Sequence, residues 1–394
     1  MAHETPERPT AEIGVSGLDH FSGVIDEEFL PELRGEKGRR TLREMSENDP
    51  VVGAVLFAID MMLRQVDWRV EPASEASEDA AHAQFVEECV ADMSHAWSAH
   101  ISEAMTMLVY GWSYFEQVYK RRDGDNADPS RRSRFTDGRI GWRKFAIRAQ
   151  DTLARWQMDE AGGVQAMVQQ AAPTFEERIV PIAKALLYRT AHRKGSPEGA
   201  SVLRRAYRPW YFKKRIEEIQ GIGIERDLAG YPVLWAPSRI FRDDATAADQ
   251  ALFTSLKDIA RRIKRDEQEG LVMPLEYDAD GNKVYDIELL STGGRRQIDT
   301  KAVMEYYDQR IAMTVLADFI LIGHEKVGSF ALSSDKTSLF AVALGAWLDE
   351  IQDVLNRHAL PRLFRLNGLP TEAMPRFVHG DIESVDLTEL GEYI

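Results

Sequence analysis

A single cysteine, Cys89, is all the thiol chemistry in this chain of 394 residues. An intrachain disulfide is therefore excluded, and the composition suits a reducing compartment. Cys89 shares a helical pattern with Phe85, Val90, Met93, Trp97, Ile101 and Leu108, which predicts a packed thiol and not a nucleophile. Long apolar runs are missing too. The longest, Ile311 to Gly323, is too short to span a bilayer and contains Asp318, so no membrane segment is expected. The polar stretch from Met1 to Thr10 lacks the apolar centre of a signal peptide. No internal repeat is visible.

Catalytic motifs are absent or incomplete. There is no Gly-x-x-x-x-Gly-Lys-[Ser/Thr] loop to cradle phosphates, and Gly221-x-Gly223 lacks both a third glycine and a preceding strand. His324-Glu325 has no second histidine four residues after the first, so no zincin helix exists. Ser333-Ser-Asp-Lys336 has the Ser-x-x-Lys spacing of penicillin-recognising enzymes, but the companion motifs are missing and a helix cap fits better. Asp278-Ala-Asp-Gly-Asn-Lys283 starts like a calcium loop, yet the later ligand positions do not follow and a hairpin turn is expected. No catalytic residue, metal site or cofactor is predicted.

What is present is a globular, acidic chain with displaced positive charge. Its formal net charge is -15 and 44% of its residues are hydrophobic, with a pI near 5.2. At this length more than one core is expected. Between Ser201 and Gln220, Arg204, Arg205, Arg208, Lys213, Lys214 and Arg215 face only Glu217 and Glu218, a local net of +4. Residues 251–265 carry the same local net of +4. In that second segment Leu252, Phe253, Leu256, Ile259, Ala260 and Ile263 recur at helical intervals, with Lys257, Arg261, Lys264 and Arg265 behind them. The first segment spreads Leu203, Tyr207, Trp210, Tyr211, Phe212, Ile216 and Ile219 around the helix, so it must be covered on several sides. Pro209 either kinks that helix or lies in the first turn of a new one. Between the two segments, a stretch punctuated by Gly221, Gly223, Gly230, Pro232 and Pro237 surrounds the short apolar run Val233 to Trp235. A helical hairpin with a small strand-and-turn module at its tip is predicted.

The run Leu203-Arg-Arg-Ala-Tyr-Arg-Pro-Trp-Tyr-Phe-Lys-Lys214, followed by Gly223-Ile-Glu-Arg-Asp-Leu-Ala-Gly-Tyr-Pro-Val233, resembles the portal proteins of tailed bacteriophages. Met45-Ser-Glu-Asn-Asp-Pro-Val-Val-Gly53, running on to Val66-Asp-Trp-Arg-Val-Glu-Pro72, resembles the same family's opening pattern of an Asp-Pro helix and a Trp-containing strand. The resemblance extends from about Thr41 to Gly380. It implies an α+β portal-type fold: a mixed wing domain, a stem of two helices, a small α/β clip and a long helix behind a tunnel loop. On that plan residues 1–40 are a loose arm, and 41–200 and 271–323 form the wing. The stem helices occupy 201–221 and 246–270, the clip 222–245, the tunnel loop and long helix 324–370, and a short tail 371–394. A helical crown is then short or missing. Elsewhere the patterns predict a helix from about Glu78 to Val109, strands at Tyr114 to Arg121, Trp142 to Ala149 and Thr152 to Asp159, and a charged loop from Arg121 to Arg139. Further helices are expected from about Thr300 to Ile322 and from about Ser334 to Arg357, the latter stopped by Pro361.

The resemblance implies a homo-oligomeric ring, usually of twelve subunits, in the virion at one capsid vertex, assembled in the host cytoplasm. A gene-transfer particle is a related possibility. Double-stranded DNA passes through such a ring, and its protein partners are the large terminase subunit, a head-tail adaptor and the major capsid protein. It has no ATPase loop, so the energy for DNA movement must come from a partner. A bore lined mainly by cations would hold DNA instead of passing it, whereas a mostly acidic one with a few placed cations repels the backbone generally and steadies it locally. Lys326 and Lys336 are assigned to the tunnel loop. Lys213, Lys214, Arg215, Lys257, Arg261, Lys264 and Arg265 are the stem cations. Glu225, Arg226, Asp227, Arg242, Asp243 and Asp244 are placed at the clip for partner docking. The alternative reading is a metal-dependent nuclease or recombinase, which requires a clustered acidic metal site. A soluble DNA-binding regulator is disfavoured by the low pI.

Overall fold

Two units make up the chain, one of Met1–Trp210 with Asp308–Ile394 and one of Tyr211–Tyr307. The computed structural model describes residues 18, 20–159, 162–229, 231–263, 277, 280–281, 283–290, 299–314 and 330–382.

Residues 1–17 and 19 of the expected loose arm lie outside the described residues, and the rest of it carries regular structure. Strands β1 (His20–Phe21) and β2 (Val24–Ile25) form a hairpin, and helix α1 (Gly35–Asn48) follows. Charged contacts to residues far along the chain hold this segment, which local periodicity could not reveal. Helix α2 (Pro50–Gln65) begins as its residues dictate: Asp49 Oδ1 accepts from the Val51 and Val52 amides at 3.0 Å each, and Pro50 occupies the first turn. It leads into β3 (Trp68–Glu71), the expected Trp-containing strand.

The single helix expected from Glu78 to Val109 is three: α3 (Ser77–Ala91), α4 (Trp97–Ala104) and α5 (Thr106–Tyr110). Tertiary bonds interrupt it. The Asp92 carboxylate accepts from Ser133 and Arg134 in the distant charged loop, and the Ser94 amide donates to the Arg143 carbonyl at 2.8 Å. Strand β4 (Trp112–Arg121) then lies between β5 (Ile140–Arg148) and β9 (Ala185–Arg189) in an antiparallel sheet, while β6 (Leu153–Met158), β7 (Val164–Gln170) and β8 (Glu177–Pro181) form a second. Because side chains alternate along a strand, β4 serves two cores. Phe115 joins Ile59, Trp142, Tyr188, Leu348 and Phe364 on one side, and Trp112 and Tyr114 join Trp156 and Met167 on the other.

Helix α6 (Tyr207–Ala229) carries the chain across the boundary between units, with Pro209 in its first turn. It does not stop at Gly221. Interior glycine costs a helix only about 1 kcal/mol relative to alanine, and the residues from Ile222 to Ala229 sustain it up to the Tyr231-Pro232 pair. In the second unit β10 (Tyr231–Trp235) precedes α7 (Ala247–Ile263) and pairs antiparallel with β11 (Asp286–Leu290). That pairing joins residues beyond 271 to this unit, which continues to Tyr307 in α8 (Thr300–Met313). An antiparallel bridge pairs Tyr277 with Lys283, and residues 278, 279 and 282 of the expected hairpin turn lie outside the described residues.

Back in the first unit, α9 (Phe330–Val354) outruns the predicted start, and Pro361 does not end the helical path. A π-helical turn at Leu355–Ala359 intervenes, where the Leu360 amide donates to the Leu355 carbonyl five residues back, and α10 (Leu360–Leu366) continues with Pro361 in its first turn. Widening the helix just before proline makes room for a ring that a regular turn would not accept. The expected tail contains β12 (Arg376–His379), which pairs antiparallel with β3. Side chains of α9 and of the π-helical turn grip its other edge: Asn356 of the turn bonds both the amide and carbonyl of Phe377 at 2.8 and 3.0 Å, and Gln352 of α9 accepts from the His379 amide at 3.1 Å. Antiparallel sheets packed with helices make this an α+β fold, as expected.

Candidate functional site

The charged residues singled out in the sequence fall mostly in the second unit. At its turn, a 3₁₀ segment Ser238–Phe241 leads to the exposed residues Arg242, Asp243 and Asp244, whose turn is closed by the Ala245 amide donating to the Arg242 carbonyl at 3.2 Å. Thr246 and Asp249 then cap α7 reciprocally. Thr246 Oγ1 donates to Asp249 Oδ2 at 2.6 Å and accepts from the Asp249 amide at 3.2 Å. Arg239 Nε reaches Asp249 Oδ1 at 3.3 Å, fixing the 3₁₀ segment to the helix start. The Thr246 hydroxyl, helped by Arg239, holds the Asp249 carboxyl below its ordinary range.

Two large aromatics of this unit are exposed, and Phe241 directly precedes Arg242. Trp235 and Phe241 are each 59% exposed, and Phe241 touches Phe253 of α7 edge-on at 5.5 Å. Charges of both signs next to an exposed aromatic such as Phe241 have the chemistry of a protein-docking surface. Sequence reading assigned Arg242, Asp243 and Asp244 to docking by position and did not single out the aromatics. The Thr-x-x-Asp spacing before an apolar run was a usable signal for the cap.

The other named residues scatter. Glu225, Arg226 and Asp227 lie on α6, not in a turn, and their side chains are outside the described residues. Lys213 is buried, Lys214 is half-buried, and Arg215 is exposed in a pair with Glu218 at 3.0 Å. Such an exposed pair on one helix face contributes little stability. Lys257 is exposed on α7. Arg261 belongs to the same helix, with its side chain outside the described residues, as are Lys264 and Arg265 altogether. Lys326 lies outside the described residues, and Lys336 sits on α9 instead of in the preceding loop, with its side chain not described.

Cys89 is buried as expected, and burial pushes its thiol up to about 12. Among the described residues no group of three or more His, Cys, Asp or Glu side chains is arranged to hold a metal ion. No helix among them is long and apolar enough to cross a membrane.

The family described as the portal protein of Mu bacteriophage matches this chain over residues 40–394. Solved structures give a concordant fold at very low identity. A chain from the virion of a native gene transfer agent particle aligns with a TM-score of 0.53 and 10% identity, covering 90% of this chain and 87% of that one. A chain from the neck of an empty gene transfer agent particle gives 0.53 and 11%, covering 89% and 86%. An HK97 family phage portal protein from Corynebacterium diphtheriae gives 0.43 and 9%, covering 88% and 96%. With nine-tenths of its length inside the family match and the same α+β fold, this chain belongs to the family of the portal protein of Mu bacteriophage.

Proposed function

We propose that copies of this chain form a portal ring at one vertex of a virion, through which double-stranded DNA is packaged and ejected. The family match over residues 40–394 carries the reading. A ring also suits the similarity to the neck of an empty gene transfer agent particle computed with C6 symmetry. A formal charge of -15 per copy favours a bore that repels DNA overall. Lys326 and Lys336 are its steadying cations, with exposed stem residues such as Arg215 and Lys257 either touching DNA or pairing with neighbours. The turn at Arg242, Asp243 and Asp244, next to Phe241, docks the terminase large subunit and then a head-tail adaptor, while the first unit meets the major capsid protein. The chain itself performs no catalysis, and the work of packaging falls to the motor. Assembly takes place in the host cytoplasm.

Negative-stain imaging with light scattering tests the ring. Twelve subunits of 44.7 kDa give particles of about half a megadalton, and a protein that stays monomeric or dimeric at micromolar concentration refutes it. Replacing Lys326 and Lys336 together by alanine is expected to leave ring mass unchanged and to alter DNA retention in filled particles. Each lost phosphate contact should lower the salt dependence of DNA binding by a slope of about 1. Identical retention and salt slope would remove these two residues from the tunnel.

A further inference from the structure

Asp26-Glu27-Glu28 is an acidic run seated on a basic surface of its own chain. Lys194 Nζ lies 3.1 and 2.9 Å from the two Glu27 carboxylate oxygens. Arg204 forks onto Glu28, donating through Nε at 2.5 Å and Nη2 at 2.8 Å. Asp26 pairs with Arg34 at 3.3 Å. Behind the run is a cavity of about 180 Å³ whose lining includes Tyr110, Arg193, Ser196 and Arg204. Glu198 also lines it, its Oε1 held by Trp156 Nε1 at 2.9 Å.

Charge, more than apolar burial, fastens this strap. Phe21 and Phe29 on it are 83% and 72% exposed, although the Arg204 guanidinium lies 5.1 Å from the Phe29 ring centre. The Glu28 and Arg204 side chains are themselves 26% and 30% exposed, and those of Glu27 and Lys194 31% and 54%. Partly exposed ion pairs are weak and screened by salt. At the hairpin turn, Ser22 and Gly23 have φ of 51° and 84°, and the Trp156 amide donates to the Gly23 carbonyl at 2.8 Å. A Cβ on Gly23 would meet the Trp156 carbonyl oxygen at 1.9 Å, so the seat accepts glycine alone.

We propose that Arg193, Lys194 and Arg204 form a recognition site for an acidic peptide segment, that Asp26–Glu28 fills it in cis, and that the same segment of a second copy fills it by exchange. Identity of the segment follows from fit: this run is the acidic peptide whose carboxylates already match the fork of Arg204 and the reach of Lys194. Exchange between identical subunits remakes the same contacts and so has little energetic cost once copies are adjacent. This inference rests on the ring reading.

A charge-reversal pair tests it. In Glu28→Arg or Arg204→Glu protein alone, the Trp156 amide should exchange with deuterium at least tenfold faster than in wild type, and the double variant should restore protection as a folding control. Mixing the two single variants should also restore it, because each then offers the other a matching segment in trans. Persistent fast exchange in the mixture overturns the exchange. For the site itself, a peptide of residues 24–33 added to wild-type protein should speed the Trp156 amide by displacing the strap, and a peptide with Gln at 26–28 should not. No effect, or a DNA duplex outcompeting the peptide, overturns the acidic-peptide assignment. Particle mass measured alongside separates the readings: wild-type rings without exchange sink only this inference, whereas absent rings sink the portal reading.

Discussion

On acidification from pH 6.5 towards 4, the folded protein is expected to lose about 1.4 kcal/mol per pH unit through His100 alone. Its ring is fully buried, and Nε2 bonds the Tyr188 hydroxyl at 3.0 Å. Phe115 and Phe145 surround it at ring distances of 4.7 and 4.9 Å, and His95 lies 6.2 Å away. Burial, with some help from His95, pushes His100 down from 6.5 to about 3. The unfolded chain therefore takes up the proton first. Stability contributed by the neutral ring is complete above pH 6.5 and drains away as pH falls towards 3. His95, lowered by its own burial, adds to the same trend. A His100→Gln variant keeps a hydrogen-bonding group for Tyr188 and removes the titration. Urea unfolding at several pH values between 6.5 and 4 should show the variant losing about one proton's worth of slope less than wild type. Parallel slopes would mean that His100 is protonated without opening the core.

Asp92→Ala is expected to cost about 3–5 kcal/mol of unfolding free energy, because it strands a buried cation. Lys120 Nζ lies 2.9 Å from Asp92 Oδ2, with both side chains only 5% exposed. Asp92 also accepts from Ser133 Oγ at 2.7 Å and the Arg134 amide at 3.0 Å. Burial alone would raise this carboxyl, but the Ser133, Arg134 and Lys120 donors outweigh it and hold the group below its ordinary range. Lys120 keeps bonds to the Asp92 and Arg132 carbonyls at 2.6 and 2.7 Å, which cannot neutralise its charge. Adding Lys120→Met should recover a large part of the loss, since an apolar pair of similar volume carries no stranded charge. Chemical denaturation of the two variants measures both effects. A cost below about 1 kcal/mol for Asp92→Ala would mean that water reaches Lys120 in the folded state.

Neither site could be read in advance, and the reason is common to both. His100 and Lys120 are commonplace letters in helical and strand patterns, and their importance comes from groups 88 and 28 residues away. Legible features were those written locally. Asp49-Pro50 marked a helix start, Trp68 a strand, Cys89 a packed face, and alternation from Tyr114 the central strand β4. Positions misjudged were those where distant contacts overrode local rules: Gly221 inside α6, Asp92 breaking a helix, and Pro361 passed by a widened turn. At the candidate docking turn, the charges of Arg242, Asp243 and Asp244 were assigned from their place between two helices. Exposure of Trp235 and Phe241 was not, because apolar letters in a short run signal burial by default.

The widened turn at Leu355–Ala359 fixes the tolerance of this chain to length changes. A π-helical turn holds about one residue more than a regular one, so loss of a single residue there would leave the following helix nearly in phase, whereas loss of a second would turn it by about 100°. Leu360, Leu363 and Phe364, all buried in the main core, would then be aimed elsewhere. The widened turn therefore has one residue of slack in length, and the wall that those three side chains complete would move only once that slack is exceeded.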